Sequence, residues 1–228
     1  MLFLLVVAAY LLGSIPVAYL IARWTRGIDL RKYGSGNVGS SNVMQATSKR
    51  WTIPVAVWDM GKGVLAVLLA RWAGFEILPQ FVVGFASIAG HNWPIFLGFK
   101  GGRGILTSLG VILAFSPVLG LTVLAISFSL APFKNLSLGV FIALLLLPLL
   151  ALISPGVFSI EDPNNAALGF SVITVLALSR RLIGQRSDLA IGLSNFELVI
   201  NRLLFDRDIR DRLTWISRTV SSNNKSLS

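Results

Sequence analysis

The chain has 228 residues, of which 54% are hydrophobic and 13% charged, and its mean hydropathy is +0.76; a soluble domain of this length cannot hide that much apolar surface. The absence of cysteine excludes a disulfide framework, a thiolate metal site and a thiol nucleophile, and a single histidine argues against an all-protein zinc or haem site. The net charge of +10 is uneven: from Ile105 to Ile160 the only charged residue is Lys134, whereas nine basic and five acidic residues follow from Arg180 onward.

The first apolar run, about Leu2 to Ala22, reads as a membrane span rather than a signal peptide. It has no basic leading region and no clear small-residue cleavage site. Arg23, Arg26, Arg31, Lys32, Lys49 and Arg50 fill the loop behind it. Basic residues flanking apolar runs mark cytoplasmic loops and meet anionic headgroups, which is a stronger reading than nucleic-acid binding. The N-terminus is therefore expected outside. Spans two and three fall at about Thr52 to Ala70 and Ile77 to Leu97, with Lys100 and Arg103 in the next cytoplasmic loop. The stretch from Ile105 to Ala131 reads as two short helices turning at Ser116-Pro117. A single span there would put Lys134 and the arginines after Ser179 outside. Two further spans are expected at about Ser137 to Ile153 and Leu168 to Ser179. From Asp188 to about Trp215, apolar residues at spacings of three and four predict an amphipathic helix on the cytoplasmic surface. The expected fold class is an all-α, polytopic membrane bundle of about seven spans with a C-terminal amphipathic helix. Residues 1–186 would form the membrane domain, 187–216 the surface segment and 217–228 a disordered tail.

Four polar clusters interrupt the apolar pattern. The glycine-rich run from Tyr33 to Asn42 offers backbone amides, serine hydroxyls and asparagine amides to an anion, although it lacks the Walker A spacing. Asp59 and Lys62 lie three apart inside span two, where buried charges pair or face a polar cavity. Gly90-His91-Asn92 closes span three. Lys100-Gly101-Gly102-Arg103-Gly104 places two cations just before a helix N-terminus, a favourable site for an anion. Each also has a plainer reading: a connecting loop, a structural ion pair, a buried polar contact and a topology-setting basic loop. Their common chemistry is phosphate recognition beside the bilayer, with no serine-histidine-carboxylate order in view.

These residues resemble the bacterial membrane glycerol-3-phosphate acyltransferases that use acyl phosphate. The matching stretches include Leu12 to Pro16, Arg31 to Gly39, Asn42, Asp59 with Lys62-Gly63, Gly90 to Asn92, and Phe99 to Gly104. The resemblance implies seven spans and an active site at the cytoplasmic membrane surface. It also implies acyl transfer from acyl phosphate to the 1-hydroxyl of glycerol 3-phosphate, giving lysophosphatidic acid and phosphate without metal or nucleotide. The residues it implies in the chemistry are Ser35, His91 and Lys100. Those implied in substrate or phosphate binding are Gly34, Gly36, Asn37, Gly39, Ser41, Asn42, Lys62, Asn92, Gly101, Gly102 and Arg103. The expected partners are the two substrates and membrane lipids.

The chain also departs from the family pattern. Gln45 stands near a usual arginine, Arg103 replaces a usual lysine, and the third motif is reduced to Arg180-Arg181-Leu182 or Arg202-Leu203-Leu204 without its histidine and asparagine. These changes leave two rivals: a non-catalytic paralogue that binds lipid precursors, and a small anion or lipid transporter. The second predicts an internal repeat, which the sequence does not show.

Overall fold

A computed structural model describes residues 1–33, 36–184 and 186–217, with residues 216 and 217 described by backbone alone. The described residues form an all-α bundle. By length and composition, Leu2–Arg26, Lys49–Trp72 and Leu136–Ile153 are able to cross a membrane, and Ile105–Phe115 and Pro117–Ser129 are shorter apolar helices. Large apolar side chains such as Phe3, Leu121, Leu149 and Val175 stay exposed on the helix exteriors, as lipid-facing positions must.

The first expected span is broken: α1 (Leu2–Ser14) and α2 (Val17–Arg26) meet at Ile15-Pro16, where proline has no N–H to continue the ladder. A short α3 (Ser40–Ala46) precedes α4 (Thr52–Trp72) and α5 (Ile77–Asn92). The predicted turn at Ser116-Pro117 is present between α6 (Ile105–Phe115) and α7 (Pro117–Ser129). The Ser116 hydroxyl accepts from the Leu119 amide and donates to the Phe158 carbonyl, so the break is capped from both sides. Next come α8 (Leu136–Ile153) and α9 (Pro163–Leu182). The last begins five residues before the expected Leu168, because Asp162 caps it and Pro163 occupies its first position.

The continuous helix expected over 188–215 does not form. Instead α10 (Asn195–Phe205) and α11 (Arg212–Ser217) are separated by a turn. A Ser194–Glu197 capping box starts α10, and Asp206, at φ 59°, ends it. Residues 218–228 of the expected tail lie outside the described residues.

Small residues set the close packing. A Cβ on Gly13 of α1 would strike the Ser87 carbonyl of α5, and one on Gly90 of α5 would strike the Tyr10 carbonyl of α1. Gly63 of α4 and Gly110 of α6 do the same for the second crossing, against Thr107 and Met60. The core behind these crossings centres on Phe81, which stacks on Phe115 at 3.9 Å and meets Phe170 edge-on at 5.2 Å.

Candidate functional site

Helix α4 puts Asp59 and Lys62 on one face, and their charged atoms lie 2.8 Å apart. Helix α5 adds His91, whose Nδ1 is 2.8 Å from Lys62 Nζ and 3.3 Å from Asp59 Oδ1. Lys62 also donates to the Gly13 carbonyl at 3.1 Å, a contact that the α1–α5 glycine crossing makes possible. All three side chains are buried. A charged ammonium has no lone pair, so His91 Nδ1 must accept and a neutral ring carries its proton on Nε2. That nitrogen faces Gly102, where a Cβ would occupy the place of the imidazole.

The loop after α5 is held from two sides. The Gly102 amide donates to the His91 carbonyl at 3.0 Å. Arg180 of α9 donates to the carbonyls of Gly102 and Asn92 at 2.9 and 3.3 Å, with its guanidinium 5.0 Å over the Trp93 ring. Gly104, at φ 73°, then turns the chain into α6 and leaves room for the fully buried Asn92 side chain.

A cavity of about 310 Å³ opens beside this assembly. One end is polar, formed by Asn37, Gly39, Ser40, Ser41, Asp59, His91, Arg103, Arg181 and Asp206. The other is a mainly apolar trough between Leu106, Leu109 and Ile112 of α6, Val123, Leu124 and Phe128 of α7, and Leu136, Val140 and Leu144 of α8, with Ser108, Ser127 and Ser137 among them. A polar mouth on an apolar trough suits an amphiphile with an anionic head.

The expected site residues divide accordingly. Asn37, Gly39, Ser41, His91 and Arg103 line the cavity. Lys62 and Gly101 line a smaller recess that shares Asp59 and His91 with it. Lys100 is exposed and does not line either space. Asn42 is buried with its amide within reach of the carbonyls of Leu30, Tyr33 and Asn37, so it braces the glycine-rich loop. Gly36, at φ 69°, closes the turn by donating to the Tyr33 carbonyl at 2.8 Å. Gly102 lies against the His91 ring, and the Asn92 side chain is packed against Gly104 with neither polar atom hydrogen-bonded among the described residues, while Gly34 and Ser35 lie outside the described residues.

Sequence reasoning placed Ser40 in the glycine-rich anion-binding run but missed Arg181 and Asp206 as cavity residues. Arg181 donates to the carbonyls of Ser137 and Leu203, at 3.1 and 2.5 Å, and so ties α8, α9 and α10 together. Asp206 pairs with Arg103 across 103 positions of sequence, which no local pattern announces.

Comparison with known proteins points one way. The profile of the family described as glycerol-3-phosphate acyltransferase matches residues 3–186. The chain is 44% identical to glycerol-3-phosphate acyltransferase 4 of Dehalococcoides mccartyi strain CBDB1, over 98% of this chain and 97% of the relative. It is 43% identical to glycerol-3-phosphate acyltransferase 5 of D. mccartyi strain ATCC BAA-2266, over 98% and 96%. Among solved structures it is similar to a crystal structure of PlsY, an integral membrane glycerol 3-phosphate acyltransferase, in its glycerol 3-phosphate form. That match has a TM-score of 0.71 and 32% identity, and covers 85% of this chain and 99% of the other. The lysophosphatidic acid form of PlsY matches with a TM-score of 0.69 and 34% identity, over 79% and 87%.

Proposed function

The chain belongs to the glycerol-3-phosphate acyltransferase family, and we propose from that premise how its residues perform the family's reaction as a multi-pass cell-membrane enzyme. It transfers a fatty acyl group from acyl phosphate to the 1-hydroxyl of glycerol 3-phosphate, giving lysophosphatidic acid and phosphate. The observation that carries the mechanism is the two-ended cavity. Its trough takes the acyl chain, and its polar mouth takes the phosphate groups.

Arg103 and the amides at the N-terminus of α6 offset charge on the phosphate that leaves. Asn37, Ser40 and Ser41 hold the acceptor beside it. His91, oriented by Lys62 and Asp59, presents its Nε2–H as a donor rather than acting as a base. The acceptor oxygen bonds to the acyl carbon, the acyl carbon–phosphate oxygen bond breaks, and the proton passes to a phosphate oxygen. Acyl phosphate is already activated, so positioning and charge stabilisation carry the acceleration and no acyl-enzyme forms. Ser35 orients the substrates in this scheme, and Lys100, exposed and outside the cavity lining, attracts them through its charge.

Seven crossings accompany this reading: α1 with α2, then α4, α5, α6, α7, α8 and α9. The N-terminus is outside and the C-terminus cytoplasmic. The basic residues at 23–50, at 100–103 and from Arg180 onward support that orientation. Residues 187–216 form a cytoplasmic surface piece against the bundle. The deciding experiment is reconstitution in lipid with glycerol 3-phosphate and palmitoyl phosphate, set against palmitoyl-CoA. Turnover with palmitoyl phosphate alone is expected; an acyl-serine trapped during turnover sinks direct transfer.

A further inference from the structure

We propose that Asp206 selects the polyol acceptor: the carboxylate oxygen not taken by Arg103 accepts a hydrogen bond from the 2-hydroxyl of glycerol 3-phosphate. The proposal rests on the functional reading above. Asp206 comes from the turn after α10, beyond residues 3–186 that the family profile matches, and it lines the polar end of the cavity.

Its two oxygens are in different situations. Oδ2 pairs with the Arg103 guanidinium. Oδ1 is buried and has no hydrogen-bond donor among the described residues; the nearest cation, Arg181 Nε, is itself without a hydrogen-bond partner and stands off at 3.9 Å. Arg181 does not close that gap, because its other two nitrogens are committed to the Ser137 and Leu203 carbonyls. A buried carboxylate oxygen without a donor is costly, so the site favours a ligand that brings one.

Of the two substrates, only the acceptor has hydroxyl hydrogens to give. Acyl phosphate offers oxygens, which a carboxylate repels. The 1-hydroxyl is consumed by the reaction, whereas the 2-hydroxyl survives into the product and remains available for a lasting contact. The turn that aims Asp206 is itself anchored. Arg202 pairs with Asp208 at 2.7 Å and donates to the Leu182 and Gly184 carbonyls.

The test compares glycerol 3-phosphate with 3-hydroxypropyl phosphate, which lacks the 2-hydroxyl, using full-length protein reconstituted with palmitoyl phosphate. Wild type is expected to favour glycerol 3-phosphate in kcat/KM by at least about tenfold, since a site built to bond a hydroxyl rejects the analogue without it. Asp206→Gly keeps the left-handed turn and removes the carboxylate. Asp206→Asn keeps an acceptor for Arg103. In Asp206→Gly the preference is expected to collapse to within about twofold, and in Asp206→Asn to fall at least about threefold. The ratio cancels any effect on the phosphate that both acceptors share. An active wild type that uses both acceptors equally overturns the proposal, and so do variants that keep the wild-type preference. A rise in kcat/KM for both acceptors alike would also overturn it, and would make Asp206 a competitor for Arg103. A wild type that does not acylate glycerol 3-phosphate instead overturns the functional reading itself.

Discussion

Lys62 Nζ lies 2.8 Å from His91 Nδ1 across the α4–α5 interface, and Asp59 Oδ1 lies 2.8 Å from the same ammonium. The ammonium is therefore both the counter-ion of a buried carboxylate and the donor that sets the imidazole tautomer. Removing it alone leaves Asp59 without its cation, and breaking one side of a buried pair costs about 3–5 kcal/mol. Lys62→Met is expected to lower the melting temperature of the detergent-solubilised protein sharply. Asp59→Asn combined with Lys62→Met removes both charges and should recover much of that loss, but not the acyl transfer. Equal instability of the single and double variants would show that the pair is not the source.

Gly102 touches the same imidazole from the other side. A Cβ there would overlap His91 Nε2, and the ring is held too firmly to retreat freely. Gly102→Ala should therefore act by displacing His91. Loss of a preorganised donor of this kind typically costs about 10²–10³ in kcat. His91→Ala and Gly102→Ala are each expected in that range, and the double variant no lower than His91→Ala alone. Multiplied losses in the double variant would separate the two residues.

The sequence made the outline legible where one helix carries its own signal. The Ser116-Pro117 break follows from charge placement and proline, and Asp59 with Lys62 follows from helical spacing. The third member of that cluster was not readable, because a pattern within α5 does not say which side of α4 His91 meets. That register shows only in the fold, where the Ser87 hydroxyl of α5 donates to the Lys62 carbonyl of α4 at 3.3 Å and Gly84 leaves room for Val67. The C-terminal helix was overextended for a related reason. Spacing of apolar residues continues through the turn, but the left-handed Asp206 backbone stops the helix there. The cavity mouth, closed by Arg103 and Asp206, exists only after the whole chain has folded.

The proposed orientation can be read by chemical labelling, because the chain has no native cysteine to interfere. Phe133 sits exposed in the turn after α7, and Glu161 in the turn before α9. In intact cells, Glu161→Cys should react with a membrane-impermeant maleimide, whereas Phe133→Cys should react only after permeabilisation. The reverse pattern would invert the bundle. One merged crossing at Ser116-Pro117 would likewise give the reverse pattern, whereas labelling of both without permeabilisation would remove α8 from the membrane count.

The C-terminal turn carries a defined pH dependence. Burial pushes the Asp208 carboxyl up, but Arg202 and the Ser187 backbone amide outweigh it and hold the pKa below the ordinary 3.8. A carboxyl depressed on folding stabilises above its unfolded value of about 3.9 and loses that contribution as pH falls through the folded value. The contribution of the Arg202–Asp208 pair to docking of 187–217 should therefore stay constant from neutral pH to about pH 4 and weaken only below it. A fluorophore on Phe196→Cys, an exposed position of α10, reports this as anisotropy. The signal should hold until acid and then drop. In Asp208→Asn it should be low already at neutral pH, and an unchanged signal in that variant would show that the Arg202–Asp208 pair does not hold the segment.

The trough makes the last prediction, and it concerns the acyl donor rather than the acceptor. Val140 of α8 is one of the apolar residues that line it. A phenylalanine there shortens the space open to the chain without reaching the polar end. Each methylene left outside forfeits about 0.8 kcal/mol of burial, so excluding two costs slightly more than a factor of ten. Val140→Phe should lower kcat/KM for palmitoyl phosphate by about that factor and change octanoyl phosphate less than about twofold, with KM for glycerol 3-phosphate unaltered. A short donor needs only the part of the trough nearest the mouth, which is why the two donors must separate. If both fall together, the substitution has damaged the mouth or the fold; if neither moves, the acyl chain lies elsewhere, along the lipid-facing surface rather than between α6, α7 and α8.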